Sequence, residues 1–192
     1  VGRGAGLLTR AVLTDMNQPL GRTVGNAIEV EEAIACLKGE GPGDLASLTA
    51  DLIGDPRARD VLASGAAYER FCRMVSAQGG DPDAALPAPR ESHVVRAERD
   101  GVLVEQQALP FGIAAWRLGA GRARQQDPVI HSAGIDLHKK PGDEVRTGDP
   151  LFTLGAEDAA RFDRALEALD GAYRIGDPGD EILTGGPLIA DR

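Results

Sequence analysis

The amino-acid sequence predicts an α+β fold in two parts. Residues before about position 80 show the spacing of amphipathic helices, whereas after that point short β-branched runs alternate with Gly, Pro and Asp. A stretch rich in Gly and Pro separates the two patterns. We therefore place a linker at 81–92, between an N-terminal part (1–80) and a strand-rich C-terminal part (93–192).

The composition excludes several classes of protein. Of the 192 residues, 42% are apolar and 27% are charged, proportions that suit a folded domain rather than a disordered chain. The net charge of −9 argues against a nucleic-acid-binding surface, which needs a basic patch, and no apolar run approaches the ~20 residues of a membrane span.

Two cysteines are too few for a disulfide framework, so we expect reduced thiols and a cytoplasmic location. The sequence starts at Val1 without an initiator Met or a secretory leader, so we expect a processed chain or part of a longer one.

One strand and several helices are predicted for the N-terminal part. The apolar run 7–14 has the length of a buried strand, and Pro19 and Gly21 indicate a loop after it. Helices are predicted at 24–38, at 42–53, from 55–56 onwards and at 66–77. Gly39 ends the first of them. The apolar stripe of that helix consists of Ala27, Val30, Ile34 and Leu37.

The C-terminal part predicts short strands and one helix. Strands are expected near 93–98, 101–108, 111–117, 128–131 and 150–154. Asp100 followed by Gly101 indicates a hairpin between the first two strands, and tight turns are predicted at 140–143 and 147–150. A helix is predicted over 156–169. A last apolar stretch at 173–175 precedes an end rich in Gly and Pro.

The side chains by themselves predict no catalytic centre. The histidines, at 93, 131 and 138, lack the spacing of a helical metal site, and no nucleophile elbow or Walker loop is present. Glu29, Glu31 and Glu32 lie near the start of the first helix, where acids oppose the helix dipole favourably. The alternative is that one of these acids joins loop carbonyls in binding a cation.

Two lysines precede a tight turn, and two interpretations of them stay open. Lys139 and Lys140 are either ordinary solvated charges or a carrier lysine of the kind that biotinyl and lipoyl modules present on a hairpin. Such modules normally have methionines beside the lysine, whereas the neighbours here are His138 and Pro141.

Residues 14–39, TDMNQPLGRTVGNAIEVEEAIACLKG, closely resemble the thymidine and pyrimidine-nucleoside phosphorylases. Further blocks that resemble the family follow in the same order: GPGDL at 41–45, a segment from Phe71 to Asp81, LGAGR at 118–122 and HKKPGDEV at 138–145. The resemblance covers nearly the whole chain. It implies the C-terminal remainder of an α/β domain, followed by a small domain of the barrel-sandwich, biotinyl-like shape.

The resemblance also implies a reaction, in which inorganic phosphate attacks the anomeric carbon of a pyrimidine nucleoside to give the free base and (deoxy)ribose 1-phosphate. In that family the phosphate-binding and base-binding residues precede the matched segment, so we expect no catalytic residues, no organic cofactor and no activity from this chain alone. A monovalent cation, potassium, is implied, with the carbonyls of Leu20 and Thr23 and the carboxylate of Glu32 as ligands. A homodimer is implied as well, and neither nucleic acid nor a membrane is expected as a partner.

A different class of function is the alternative. The turn around Lys140 is also consistent with a non-catalytic carrier or interaction module of biotinyl or lipoyl-like shape. A remnant of a decayed gene is a third interpretation.

Overall fold

The computed structural model describes residues 1–184 and 189–191 of the chain. The helices are α1 (Ala27–Leu37), α2 (Gly43–Ile53), α3 (Ala58–Ala63), α4 (Ala66–Ala77), α5 (Ala108–Ala115) and α6 (Phe162–Leu169). The strands are β1 (Leu13–Thr14), β2 (Thr23–Gly25), β3 (Glu91–Arg96), β4 (Gly101–Gln106), β5 (Gly134–Leu137), β6 (Glu144–Val145), β7 (Pro150–Ala156), β8 (Tyr173–Gly176) and β9 (Ile189–Asp191). The predicted Gly/Pro-rich end of the chain lies partly outside the described residues.

Within the described residues the strands form antiparallel sheets, which confirms the α+β class. One sheet has the order β2-β5-β7-β3, another has the order β6-β4-β8, and β1 pairs with β9. Strand β2 comes from the N-terminal part yet pairs with β5, so Thr23 lies opposite Asp136 and Gly25 opposite Gly134. This pairing attaches the N-terminal helices to the strand-rich part. The linker at 81–92, the division into domains and the barrel-sandwich shape stay predictions.

The hydrophobic core lies in the strand-rich part. Phe152 on β7 meets Phe111 of α5 edge to face, with ring centroids 5.1 Å apart, and meets Tyr173 of β8 in the same way at 5.2 Å. Helix α6 buries Phe162 and Leu169 on the same cluster. By contrast, none of the side chains of α4 is fully buried. In the part of the chain that the structure describes, no helix has both the length and the apolar character needed to cross a membrane.

Several predicted helices and turns are confirmed. Helix α4 has the predicted limits, and α2 begins one residue later than predicted. Gly39 ends α1 with φ +82°, and the N–H of Glu40 donates to the carbonyl of Ala35 at 2.8 Å, which satisfies an end carbonyl of the helix. The turn at 140–143 is present, and the turn predicted at 147–150 lies one residue earlier, where the N–H of Asp149 donates to the carbonyl of Arg146 at 2.9 Å.

The strand predicted at 7–14 is wrong apart from its end. Only Leu13–Thr14 is a strand, and Leu7 and Leu8 are exposed. A short apolar run does not by itself show whether a sheet covers it. Helix α1 starts later than predicted because 23–25 form β2, and its stripe is only partly buried, since Val30 is exposed.

Four predictions in the C-terminal part are wrong. The segment 111–117 belongs to α5 and the π-helical turn after it; Pro110 lies in the first turn of α5, where a missing N–H breaks no helical bond. Strand β5 lies at 134–137 rather than at 128–131. Strands β3 and β4 form no hairpin, because β3 pairs with β7 whereas β4 pairs with β6 and β8. The last helix begins at Phe162, because 150–156 continue as β7.

A row of glycines lets α1 lie close to the sheet. Gly25, Gly134 and Gly155 are neighbours across β2, β5 and β7. A Cβ placed on Gly134 would lie 2.9 Å from the Cγ2 atom of Ile28 on α1 and 2.9 Å from the carbonyl oxygen of Val24. Ile28 therefore packs in the space that side chains larger than glycine would fill at these positions of the sheet.

We expect Gly134→Ala to lower the free energy of unfolding by about 1–3 kcal/mol, because the added methyl overpacks this contact. The matched control is Gly112→Ala in α5, where an added Cβ meets nothing within 4 Å. This control substitution should raise the free energy of unfolding by about 0.5–1 kcal/mol, because alanine is more stable than glycine in a helix interior. Urea unfolding followed by circular dichroism measures both. Equal effects of the two substitutions would contradict the close approach of α1 to the sheet.

Candidate functional site

The three predicted cation ligands lie on a loop, a strand and a helix that meet. Leu20 lies in the loop before β2, Thr23 is the first residue of β2, and Glu32 is on α1. The carboxylate of Glu32 accepts hydrogen bonds from the backbone N–H of Arg22 at 2.6 Å and from the hydroxyl of Thr23 at 3.0 Å. Glu32 therefore faces the loop.

The carbonyl of Thr23 is directed away from the sheet. Thr23 lies opposite Asp136, and the N–H of Leu137 donates to the carbonyl of Arg22 at 2.7 Å. This pattern makes Thr23 and Asp136 a non-hydrogen-bonded pair, in which both backbone groups of Thr23 point outward from β5. The strand consequently leaves that carbonyl for another partner.

These donors fit a hard cation. A carboxylate next to backbone carbonyls offers only oxygen atoms, which is the ligand type preferred by hard ions. The fit does not extend to softer metals: no group of three or more His, Cys, Asp or Glu side chains that could hold a metal is found among residues 1–184 and 189–191.

Gly21 allows the loop to approach Glu32. It is buried, its φ is +68°, and a Cβ at this position would overlap the Glu32 carboxylate. Its N–H donates to Oδ2 of Asp44 at the start of α2, at 3.1 Å. The backbone conformation therefore favours glycine here, and any larger residue would displace the Glu32 carboxylate from its present position.

The ammonium of Lys140 lies against the same loop. It donates to the carbonyl of Pro19 and, at 2.8 Å, to the carbonyl of Gly21, and it is 3.6 Å from Oδ2 of Asp44. Burial lowers the pKa of Lys140 below its usual value, and Asp44 opposes this shift. An ammonium that is engaged in this way is not presented to solvent, which disfavours the carrier interpretation of Lys140.

Arg22 ties the loop to the end of β5. Its guanidinium donates to the carbonyls of Leu137 at 3.4 Å and His138 at 3.1 Å. With Lys140, Glu32 and Asp44, Arg22 completes a set of two positive and two negative side chains around the loop. The formal charges of this set cancel.

The start of α1 is fixed by an acid of its own first turn and by the C-terminal part. Glu29 accepts a hydrogen bond from the N–H of Gly25 at 2.8 Å, so this acid satisfies a donor at the helix start. The side-chain amide of Asn26 donates to the carbonyl of Ala120 at 2.6 Å, and the N–H of Ala27 donates to the carbonyl of His131 at 3.0 Å. The structural interpretation of Glu29 is therefore confirmed. Glu31 is exposed.

The histidines and thiols do not assemble into a site. The ring of His93 lies 5.7 Å from that of Phe162, and Nε2 of His138 is 2.7 Å from the hydroxyl of Thr153. Both cysteines are free thiols. Cys36 is buried, and burial, with help from Glu32 and Asp44, raises the pKa of its thiol.

Sequence reasoning missed that Arg22, Asp44 and Lys140 belong to this site. Asp44 and Lys140 lie in two of the blocks that resemble the family, GPGDL and HKKPGDEV. Their place in these blocks is the sequence signal that could have identified them. The blocks do not show that the two residues are close in space, which results from the pairing of β2 with β5.

Comparison with known families shows that residues 102–176 match the family described as pyrimidine nucleoside phosphorylase C-terminal domain. The chain is 44% identical over 201 residues to a thymidine phosphorylase of Mycobacterium tuberculosis (strain CDC 1551 / Oshkosh), which covers 100% of this chain and 46% of that relative. It is 42% identical over 176 residues to a pyrimidine-nucleoside phosphorylase of Bacillus subtilis (strain 168), with 81% of the chain and 41% of the relative covered. For a protein of the latter name from Staphylococcus aureus (strain USA300), the identity is 35% over 197 residues, with 92% and 45% covered. The chain thus spans about half the length of the curated relatives it matches.

Gly21→Ala should destabilise the protein more than Gly79→Ala. Both glycines have positive φ, so each alanine costs about 1 kcal/mol in backbone strain. Only at Gly21 does the new Cβ also displace a carboxylate, because nothing lies within 4 Å of a Cβ at Gly79. We expect a further loss of about 1–2 kcal/mol for Gly21→Ala in chemical unfolding. Equal losses for the two variants would show that the loop does not press on Glu32.

Proposed function

The chain belongs to the thymidine and pyrimidine-nucleoside phosphorylase family, and we propose that it forms the C-terminal portion of an enzyme that transfers (deoxy)ribose from a pyrimidine nucleoside to inorganic phosphate. The products are the free base and the sugar 1-phosphate. The observation that carries the proposal is the alignment of relatives so named along 81–100% of this chain.

An enzyme for this reaction must stabilise charged groups and hold the reactants in position. A phosphate dianion, a sugar that gains positive character and a departing base must be held together, and fixed donors and charges lower the barrier. Because the chain spans about half of its relatives, we propose that the groups that bind phosphate and base come from the portion that precedes the matched segment. This chain contributes the loop at 15–23 and the side chains that hold it.

We propose that Leu20, Thr23 and Glu32 hold a potassium ion. The support is the oxygen-only donor set, in which the Thr23 carbonyl is directed away from β5 and the Glu32 carboxylate accepts a hydrogen bond from the hydroxyl of the same threonine. When bound, the ion supplies a fixed positive charge that orders oxygen-bearing backbone. Glu32 keeps Thr23 and the backbone of Arg22 in place through two hydrogen bonds.

The enzyme is further proposed to act as a cytoplasmic homodimer. Large apolar side chains are exposed in the N-terminal part, among them Leu8 and Ile53. Such side chains favour burial against further protein, either the preceding portion or a second copy.

The function is tested with the chain alone and with a hybrid protein. In the hybrid, the portion of the M. tuberculosis thymidine phosphorylase that this chain does not match is fused ahead of Val1. Thymine release from thymidine and phosphate, followed by absorbance, should be absent for the chain alone and present for the hybrid. Robust thymine release by the chain alone would show that the chain does carry catalytic groups, contrary to the expectation. A folded hybrid without activity would contradict the proposed function.

Glu32→Gln in the hybrid should weaken the response to potassium. Replacing a charged ligand by a neutral amide should raise the potassium concentration for half-maximal activity by at least about tenfold. Glu31→Gln is the matched control, because Glu31 is the neighbouring, exposed acid on α1. Titration of activity with KCl at constant ionic strength measures the effect. An unchanged potassium response for Glu32→Gln would remove Glu32 from the ligand set.

A further inference from the structure

Lys140 is held rigidly by the turn that carries it. The turn lies between β5 and β6, where the N–H of Lys140 donates to Oδ2 of Asp143 at 2.8 Å and the N–H of Asp143 donates back to the Lys140 carbonyl at 3.0 Å. The side chain is 15% exposed, so its stem lies along protein rather than in water. The position of the ammonium is therefore set by the C-terminal part.

The ammonium and Asp44 together fix both peptide groups of Gly21. Lys140 donates to the carbonyl of Gly21, and Asp44 accepts from its N–H. Lys140 also donates to the carbonyl of Pro19. The two carbonyls that it contacts lie on either side of Leu20 in the chain, so the backbone around Leu20 is constrained from both directions.

Charge makes this contact specific to a cationic side chain. The groups around Lys140 are the carboxylates of Asp44 and Glu32, the guanidinium of Arg22 and the two loop carbonyls. A neutral side chain at this position would leave two carbonyls without their donor and Asp44 without its cation.

We propose that Lys140 is a positioning residue, which keeps the loop at 15–23 in the conformation that presents the Leu20 and Thr23 carbonyls to a monovalent cation. The proposal rests on the proposed function for its cation and deepens it. It assigns the strand-rich C-terminal part a role in the site, because that part supplies the lysine. Lys140 acts through the loop and contacts neither substrate nor reacting atoms.

The neighbouring lysine is a matched control. The ammonium of Lys139 donates to the carbonyl of Glu144 at 2.8 Å and lies 3.7 Å from Asp149, both within the C-terminal part. Lys139→Met thus removes an equal charge from the same turn without touching the loop.

The first experiment is amide hydrogen exchange on the chain itself, which needs no activity. In Lys140→Met the N–H groups of Gly21 and Arg22 should exchange at least about tenfold faster, while those of β5 and β7 keep their rates. Lys139→Met should leave the loop unchanged, and Lys140→Arg should restore most of the protection. Unchanged protection of Gly21 and Arg22 in Lys140→Met would overturn the proposal.

The second experiment uses the hybrid protein and the potassium response. Lys140→Met should raise the potassium concentration for half-maximal activity about tenfold while kcat at saturating potassium stays near its original value, because a correctly formed loop is still selected by the ion. A fall in kcat with an unchanged potassium response would overturn the proposal. If the hybrid with Lys140 intact is inactive, the proposed function fails, and the exchange experiment still decides whether Lys140 holds the loop.

Discussion

The candidate site depends on one buried ammonium placed between backbone carbonyls. Lys140 reaches from the turn after β5 to the carbonyls of Pro19 and Gly21, and Asp44 neutralises it from α2. Removing a charge from water is favourable only when such partners replace the solvent, so the loop and the lysine require each other.

The remaining contacts place α1 and β2 relative to that anchor. Strand β2 adds to β5, the glycine row lets Ile28 lie on the sheet, and Glu32 then reaches the loop from α1. At φ +68° Gly21 adopts the backbone conformation without strain, and its missing Cβ leaves room for the Glu32 carboxylate. Packing, backbone conformation and charge therefore all favour the same positions for the loop carbonyls and the Glu32 carboxylate. A cation site needs oxygen atoms that are fixed in this way.

The sequence predicted correctly the helices that local spacing and end residues specify. It gave wrong elements where contacts between distant parts of the chain determine the secondary structure. Helix α4 and the stop at Gly39 follow from spacing and from the freedom of glycine, so both were predictable. The run from Phe111 to Trp116 contains only apolar residues and Gly, and such a run fits a buried strand or a buried helix equally well, so its own pattern does not predict that it is helical. Glu32 was named as a cation ligand from the family resemblance, and that role stays a prediction. Arg22, Asp44 and Lys140 were not recognised as one group, because long-range β2–β5 pairing leaves no local trace.

Crystals of the hybrid protein grown in rubidium or thallium salts test the central claim most directly. An anomalous difference map should show one peak bound by the carbonyls of Leu20 and Thr23 and the carboxylate of Glu32, with the Lys140 ammonium still on the carbonyls of Pro19 and Gly21. A map without a peak at these oxygen atoms, or a loop that has left Lys140 while the ion is bound, would contradict the account.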